Sequence, residues 1–376
     1  MNPFGWRFAG VFFGILMLPI LYKLLKQMFD NSLVCFAATF LFAFDFMHFS
    51  QSRLATIDTY AVISILLIYY FMYRYYRTSF FDGKLKDSLK PLFFCGIFVG
   101  LGFSSKWNVA YGFIGIFLLF ILNMWKRLKE YLHAKKEVEK NHSTDEMDLY
   151  VYQNYFRLLI KTILWCILFF IIIPLVIYYL SFIFIFDITN IKTYTQNVFQ
   201  YNWNMWEYHH RLVATHPFQS PWYEWSFMIR PIWYAWDISF SQPNTISTIT
   251  GMGSPMVWWV GLITMIFTLL TAFIKKDKTG YFIVIGYLSV YLPWIAISRI
   301  AFIYHYYPAV IFLVLSMAYF MNLMLKKWNW MKYAIPIYVA LAFALFLMYF
   351  PILSGTPTTR EYAKRLQWLP RWTFYV

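Results

Sequence analysis

Charged or polar ionisable groups stand inside or at the edge of long apolar runs at five places: Asp45 with His48, the Gln51-Ser52-Arg53 to Asp58 segment, Ser105-Lys106-Trp107, Arg230, and Arg299 with Tyr304-His305-Tyr306. Ions in such surroundings are expensive, so each is a candidate for function until a structural partner is found. In FDFMHFSQSRLATID, Arg53 and Asp58 are five residues apart, close enough to pair across a turn. A structural ion pair is the plain alternative there to contact with an anionic substrate. Four further cations, Lys106, Arg211, Arg230 and Arg299, fall on the same expected membrane face. Cations gathered at one face with few acids beside them suit a phosphate or pyrophosphate at headgroup level, which arginine can grip with two parallel hydrogen bonds. Ordinary anionic phospholipid would satisfy the same cations.

Other chemistries find little support. His209, His210 and His216 carry no carboxylate pair to complete a ligand set, and adjacent histidines cannot easily point at one ion. Polar-tipped rings at an interface are the better reading, and no metal or cofactor is expected. Cys35, Cys95 and Cys166 each lie within an apolar run, as small core residues do. Gly251-Met252-Gly253-Ser254 follows no expected strand and does not read as a phosphate loop.

The elements that must position these residues are membrane helices. With 61% hydrophobic, 24% aromatic and 13% charged residues in 376, the chain needs lipid as solvent. Runs of spanning length are expected near 8–25, 33–47, 58–73, 91–105, 108–125, 161–183, 255–274, 281–297, 300–323 and 333–352, about ten in all. The net charge of +15 is not spread along a groove. If 23–30 faces the cytoplasm, 21 of the 32 Lys and Arg fall on that side, as retention of positive charge requires, and nucleic acid is not an expected partner. This places a mixed-charge segment, 126–160, in the cytoplasm as a solvated helix and linker. It places an aromatic-rich stretch, 184–254, outside as a folded interfacial layer.

Several stretches together resemble the protein O-mannosyltransferases and their bacterial relatives, polytopic inverting enzymes of the GT-C class. NPFGWRFAGVFFGILMLPILY at 2–22 is similar to the family's second span and lead-in, FSQSRLATIDTY at 49–60 to its Gln-Ser-Arg segment, and GLGFSSKWN at 100–108 to its Ser-Lys-Trp turn. SPWYEWSFMIRPIWY at 220–234 and SRIAFIYHYYPA at 298–309 resemble its late external motif and Tyr-His-Tyr span. The resemblance implies a single all-α GT-C membrane domain over 1–376, of bacterial type, with about ten transmembrane helices and one large external loop. It also implies that a first span and first external loop precede Met1, and that the family's Asp-Glu pair, held to supply the catalytic base, lies in that loop. The base is therefore unassigned, and residues 1–376 alone are expected to bind donor without efficient turnover.

The implied activity is transfer of a hexose, usually mannose, from a polyprenyl phosphate to a Ser or Thr hydroxyl of a protein or another envelope acceptor, at the outer face of a multi-pass cell membrane, in bacteria the plasma membrane. Membrane lipids are the other expected partners. The residues expected at the lipid phosphate or substrate are Arg53, Asp58, Lys106, Arg230, Arg299, Tyr304 and His305. A transporter or lipid-linked sugar flippase is the competing reading, and a non-catalytic assembly subunit a third. Transporters often carry two related halves, whereas the aromatic layer occurs once and the charges cluster near one face. Cysteines introduced within 190–250 are expected to react with a membrane-impermeant maleimide on intact cells. Labelling only after the cytoplasm is opened would reverse the orientation.

Overall fold

The computed structural model describes residues 2–239, 242 and 244–375. Met1, and Phe240, Ser241 and Pro243 of the expected external stretch, lie outside the described residues. Apolar sequence leaves the backbone to satisfy its own N–H and C=O groups, which makes helices the default. The first, α1 (Pro3–Phe29), opens with Asn2 Oδ1 accepting from Phe4 N at 2.9 Å and with Pro3 in the first turn, where a missing N–H costs least. It closes at Asp30, left-handed with φ 46°, and Asn31 then caps α2 (Ser32–Ala43).

Between α2 and α3 (Phe46–Arg53) the path bends by 54°. Asp45, wholly buried, makes this break tolerable: its Oδ1 accepts from Met47 N at 3.1 Å and His48 N at 3.2 Å, capping α3. Its Oδ2 accepts from Ser254 N at 3.0 Å, at the start of a helix far along the chain. Four more helices follow: α4 (Asp58–Arg77), α5 (Leu85–Ser105), α6 (Val109–Lys140) and α7 (Glu146–Ile167). A π turn over Leu168–Ile172 joins α7 to α8 (Ile173–Ser181).

The expected external stretch is folded. It holds α9 (Ile191–Arg211), a single turn α10 (Trp222–Trp225), and an antiparallel hairpin of β1 (Ile232–Asp237) and β2 (Thr245–Gly251). Then come α11 (Pro255–Lys275), α12 (Lys278–Tyr291), α13 (Tyr307–Lys327) and α14 (Met331–Ser354). The segment after α14 returns to the hairpin: β3 (Thr358–Thr359) pairs antiparallel with β2 and leads into α15 (Arg360–Arg365).

Among the described residues, eight helices are long and apolar enough to cross a membrane, or nine if α2 and α3 form one broken span. The remaining expected span is α4, a helix of 20 residues whose six tyrosines and three charges make it less apolar than the others. The 126–160 segment is mostly helix, because α6 runs on to Lys140 and α7 begins at Glu146 behind an Asp145 cap. By contacts the chain divides into two units, Met1–Ile63 with Phe199–Val376, and Ser64–Val198. Within the first, α13 is buried almost all round, and α1 approaches α3 so closely that a Cβ on Gly14 would come within 2.7 Å of Ser52 Cβ. Within the second, α5 lies on the π turn and α8, where Gly96 and Gly100 leave no room for larger residues.

Replacing Asp45 by Ala strips one helix cap and leaves buried N–H groups unpaired, which together cost about 2–4 kcal/mol. Asp45→Ala is expected to unfold well below the parent chain in detergent, whereas Asp145→Ala, at an exposed cap, shifts the midpoint far less.

Candidate active site

The last turn of α3 carries the Gln-Ser-Arg segment, and its side chains hold the hairpin. Ser50 Oγ donates to Thr250 O at 3.2 Å, and buried Gln51 donates through Nε2 to the Tyr234 hydroxyl oxygen. Gln51 Oε1 accepts from Thr56 Oγ1 at 2.9 Å and its carbonyl from Thr59 Oγ1 at 3.2 Å, so the amide cannot turn away. Tyr234 can reach it because β1 bulges there: Trp233 pairs with Thr250 and Ala235 with Ile249, leaving Tyr234 unmatched. A bulge re-aims a side chain. The ring then lies across Gly251, where a Cβ would sit 2.5 Å from Tyr234 Cε2.

Asp58, at the start of α4, and Tyr304 both lie near enough to act electrostatically on the Tyr234 hydroxyl. Desolvation, reinforced by these two, pushes Tyr234 well above the ordinary tyrosine range. It therefore stays protonated, and since its oxygen accepts from Gln51 its own proton remains to donate.

The charge of Arg299 acts on both Tyr304 and His209. Partial desolvation and then Arg299 hold the His209 imidazole below its usual value, so it is neutral at pH 7 and the guanidinium supplies the positive charge. Among the described residues, Arg299 itself donates only a long bond, 3.4 Å, to the adjacent Ile300 carbonyl. It stands on the rim of a cavity of about 300 Å³ lined by Ser220, Trp222, Trp225, Trp294 and Ser298. The walls are cross-tied: Ser220 N donates to Ala301 O at 3.0 Å, Trp225 Nε1 donates to Ser220 Oγ at 3.0 Å, and Tyr291 OH donates to Trp222 O at 3.0 Å. Buried His305 is stacked on Trp225 at 5.7 Å and meets Trp294 edge-on at 4.3 Å.

These placements bring Asp58, Arg299, Tyr304 and His305 into one neighbourhood of the first unit, together with Tyr234. Arg53 is a few residues away on α3. It is half-buried, lies over the Phe49 ring at 4.8 Å and donates to Ser354 O at 3.3 Å, instead of forming the pair with Asp58 that its spacing allows. Arg7 lies close enough for its charge to act on Arg53. Arg230, half-buried between α10 and β1, makes no hydrogen bond or ion pair among the described residues. Lys106 belongs to the second unit, where its N–H closes α5 on Gly102 O at 2.9 Å.

Two of the intramembrane polar groups have structural partners. Asp45 is the helix cap described above, and His48 Nδ1 is hydrogen-bonded with Tyr307 OH at 2.6 Å. Glu224 is held by Arg371 at 3.3 Å. His216 is occupied locally, its Nδ1 accepting from Phe218 N at 3.1 Å.

Comparison with known proteins now decides the family. Residues 1–190 match the family described as dolichyl-phosphate-mannose-protein mannosyltransferase, and residues 194–372 the C-terminal four TMM region of protein-O-mannosyltransferase. The chain belongs to the protein O-mannosyltransferase family. It is 22% identical over 424 residues to the polyprenol-phosphate-mannose–protein mannosyltransferase of Mycolicibacterium smegmatis, covering 99% of this chain and 78% of that one. The Corynebacterium glutamicum enzyme of the same name gives 22% over 427 residues with the same coverage. Dolichyl-phosphate-mannose–protein mannosyltransferase 1 of Saccharomyces cerevisiae is 28% identical over 193 residues, 45% of this chain and 23% of its own length. In fold, the chain is similar to the S. cerevisiae protein O-mannosyltransferase Pmt1-Pmt2 complex bound to the sugar donor, with TM-score 0.77 and 13% identity over 98% of this chain and 80% of that one. This is a multi-pass membrane glycosyltransferase of all-α, GT-C type.

For this protein O-mannosyltransferase, residue types and spacing pointed to Arg299, Tyr304 and Asp58 but not to Tyr234, Trp225, Trp294 or Arg371. Tyr234 sits in the aromatic run IWYAW, where no sequence signal separates a bulged tyrosine from its neighbours. Gly251→Ala is expected to displace the Tyr234 ring and slow transfer from a polyprenyl-phosphate sugar about tenfold to a hundredfold. Gly5→Ala, where an added Cβ meets nothing within 4 Å, should leave both rate and unfolding temperature unchanged.

Proposed function

We propose that this chain transfers mannose from a polyprenyl-phosphate donor to a Ser or Thr hydroxyl of an acceptor protein, at the outer face of a bacterial plasma membrane. The observation that carries the reading is the cavity of about 300 Å³ with tryptophan walls and Arg299 at its rim, in the same unit as Asp58, Tyr234 and Tyr304. Aromatic faces suit the apolar side of a sugar ring, and a guanidinium suits the phosphate that departs with the electron pair of the breaking C1–O bond. Similarity over 99% of this chain, and 78% of their own length, to enzymes named as polyprenol-phosphate-mannose–protein mannosyltransferases supports the same donor and acceptor classes.

In this reading the acceptor oxygen attacks C1 while its proton passes to a general base, which these residues leave unassigned. Glu224 is a poor choice because Arg371 engages it. Arg299, Arg53 and Arg230 stabilise the developing phosphate charge in surroundings where water competes little. Tyr234, kept protonated, is a hydrogen-bond donor to an oxygen of donor or acceptor, and Gln51 holds it in place.

Arg53 tests the phosphate role. Arg53→Lys keeps the charge but loses the planar fork, so transfer is expected to fall at least about tenfold, and Arg53→Ala about 10²–10³-fold, at matched membrane expression. Near-normal turnover and donor affinity in both variants would make Arg53 a structural residue, tied to Phe49 and Ser354, and would leave the phosphate to Arg299 and Arg230.

A further inference from the structure

A second cavity, of about 350 Å³, opens between α11, α13 and α14. On α13 it is lined from Met317 to Met324, which at about 1.5 Å per residue lies roughly 15–25 Å along the axis from Tyr307, away from the candidate active site. Its lining is almost wholly apolar, with Val260, Phe320, Met321 and Ala334 among the walls. The two hydroxyls of the lining that could have drawn water in are already engaged. Thr264 Oγ1 donates to Gly261 O at 3.0 Å and is hydrogen-bonded with Ser316 Oγ at 2.9 Å, while Tyr338 OH donates to Met256 O. Water needs several polar partners to occupy such a space, and here both hydroxyls are taken.

Lysines flank the end of the cavity lined by Met324, Trp328, Trp330 and Met331. Lys326 and Lys327 end α13, Lys332 lies in the first turn of α14, and all three are exposed. Lys327 stands over the Trp328 ring at 4.7 Å and Lys332 over the Tyr333 ring at 5.0 Å, so the ammonium groups are held beside lining or neighbouring aromatics. No acid occurs between Asp277 and Glu361 in the sequence. At this end of α13, Asp277 is spent on capping α12, through Thr279 N at 3.4 Å and Gly280 N at 3.1 Å. Exposed Trp328 and Trp330 stack at 6.2 Å, as amphipathic rings do at the level of lipid headgroups.

We propose that this is a binding site for an anionic glycerophospholipid, with one acyl chain in the slot between α11, α13 and α14 and the phosphate on Lys326, Lys327 and Lys332. Walls that are almost wholly apolar, with their hydroxyls already engaged, select a hydrocarbon chain, and three lysines that form no ion pair among the described residues select a negative headgroup. The site is independent of the transfer reaction and of which membrane face the lysines occupy.

The test is native mass spectrometry of the full chain released from nanodiscs containing equal phosphatidylglycerol and phosphatidylcholine. The parent chain is expected to retain phosphatidylglycerol preferentially. Each lysine changed to Gln should lower that preference about fivefold, and the triple variant on the order of a hundredfold. Ala334→Phe fills the slot and should abolish retention of either lipid while the helical circular dichroism stays unchanged. If Ala334→Phe does not fold, the lysine series still decides the headgroup and Thr264→Leu repeats the filling. Equal retention of the two lipids, or retention indifferent to filling, overturns the proposal. So does efficient cross-linking of Met324→Cys to a second copy in membranes, which would make the slot a subunit interface.

Discussion

One buried carboxylate governs the face on which the candidate site is built. Asp45 caps α3 with one oxygen and holds the start of α11 with the other. A helix broken inside an apolar environment exposes N–H groups that no solvent will satisfy, so the break between α2 and α3 persists only because this side chain accepts them. The bend aims α3 so that Gln51 meets the hairpin and Arg53 meets the end of α14. The hairpin's other anchor, Ser50 on Thr250, depends on the same turn of helix. A charge that looked like a functional expense in the sequence is thus an architectural one.

Aromatic hydroxyls and indoles make the second layer of this construction. Tyr287 and Tyr306 share a hydrogen bond at 2.7 Å, Tyr291 holds the Trp222 carbonyl, and His48 holds Tyr307. Each of these tyrosines gives a large apolar face to its neighbours and spends its hydroxyl on polar partners, Tyr291 on both the Trp222 carbonyl and Ser226. A wall made this way around Trp225 and Trp294 is rigid without being ionic, and Arg299, the cation of the lining, forms no ion pair among the described residues.

Much of the fold was legible because apolar run length is a direct consequence of membrane thickness. Each of the ten expected ranges falls on helix, although 33–47 is broken at Phe44 and Asp45, 300–323 becomes helical only from Ile303, and the helix expected to end at 125 runs on to Lys140; the ends at Lys275 and Lys327 lie within a few residues of the expected ones. The break at Phe44 was not legible, since FAFDF reads as a continuous run with one stray acid. In the candidate site, Arg299, Tyr304 and Asp58 could be singled out because polar groups in apolar runs are rare. Their partners could not: which residue Arg53 meets, 301 positions away, and which tyrosine bulges toward Gln51 are facts of tertiary packing. Spacing suggested an Arg53–Asp58 pair because sequence distance is the only distance a sequence displays.

The return of the segment after α14 sets an order of assembly. Trp372 donates to the Met228 carbonyl, Arg371 engages Glu224, and β3 completes the sheet on β2. These partners are 144 and 147 residues apart for the first two, so on the ribosome the earlier segment leaves the tunnel long before the later one exists. Four helices of membrane must be threaded in between. Until then the 220–230 segment lacks its floor and the hairpin keeps an unpaired edge. The layer that lines the tryptophan cavity therefore reaches its final form only after α11 to α14 and the segment behind them have been made, so a chain cut short before Arg371 and Trp372 leaves that cavity without its floor.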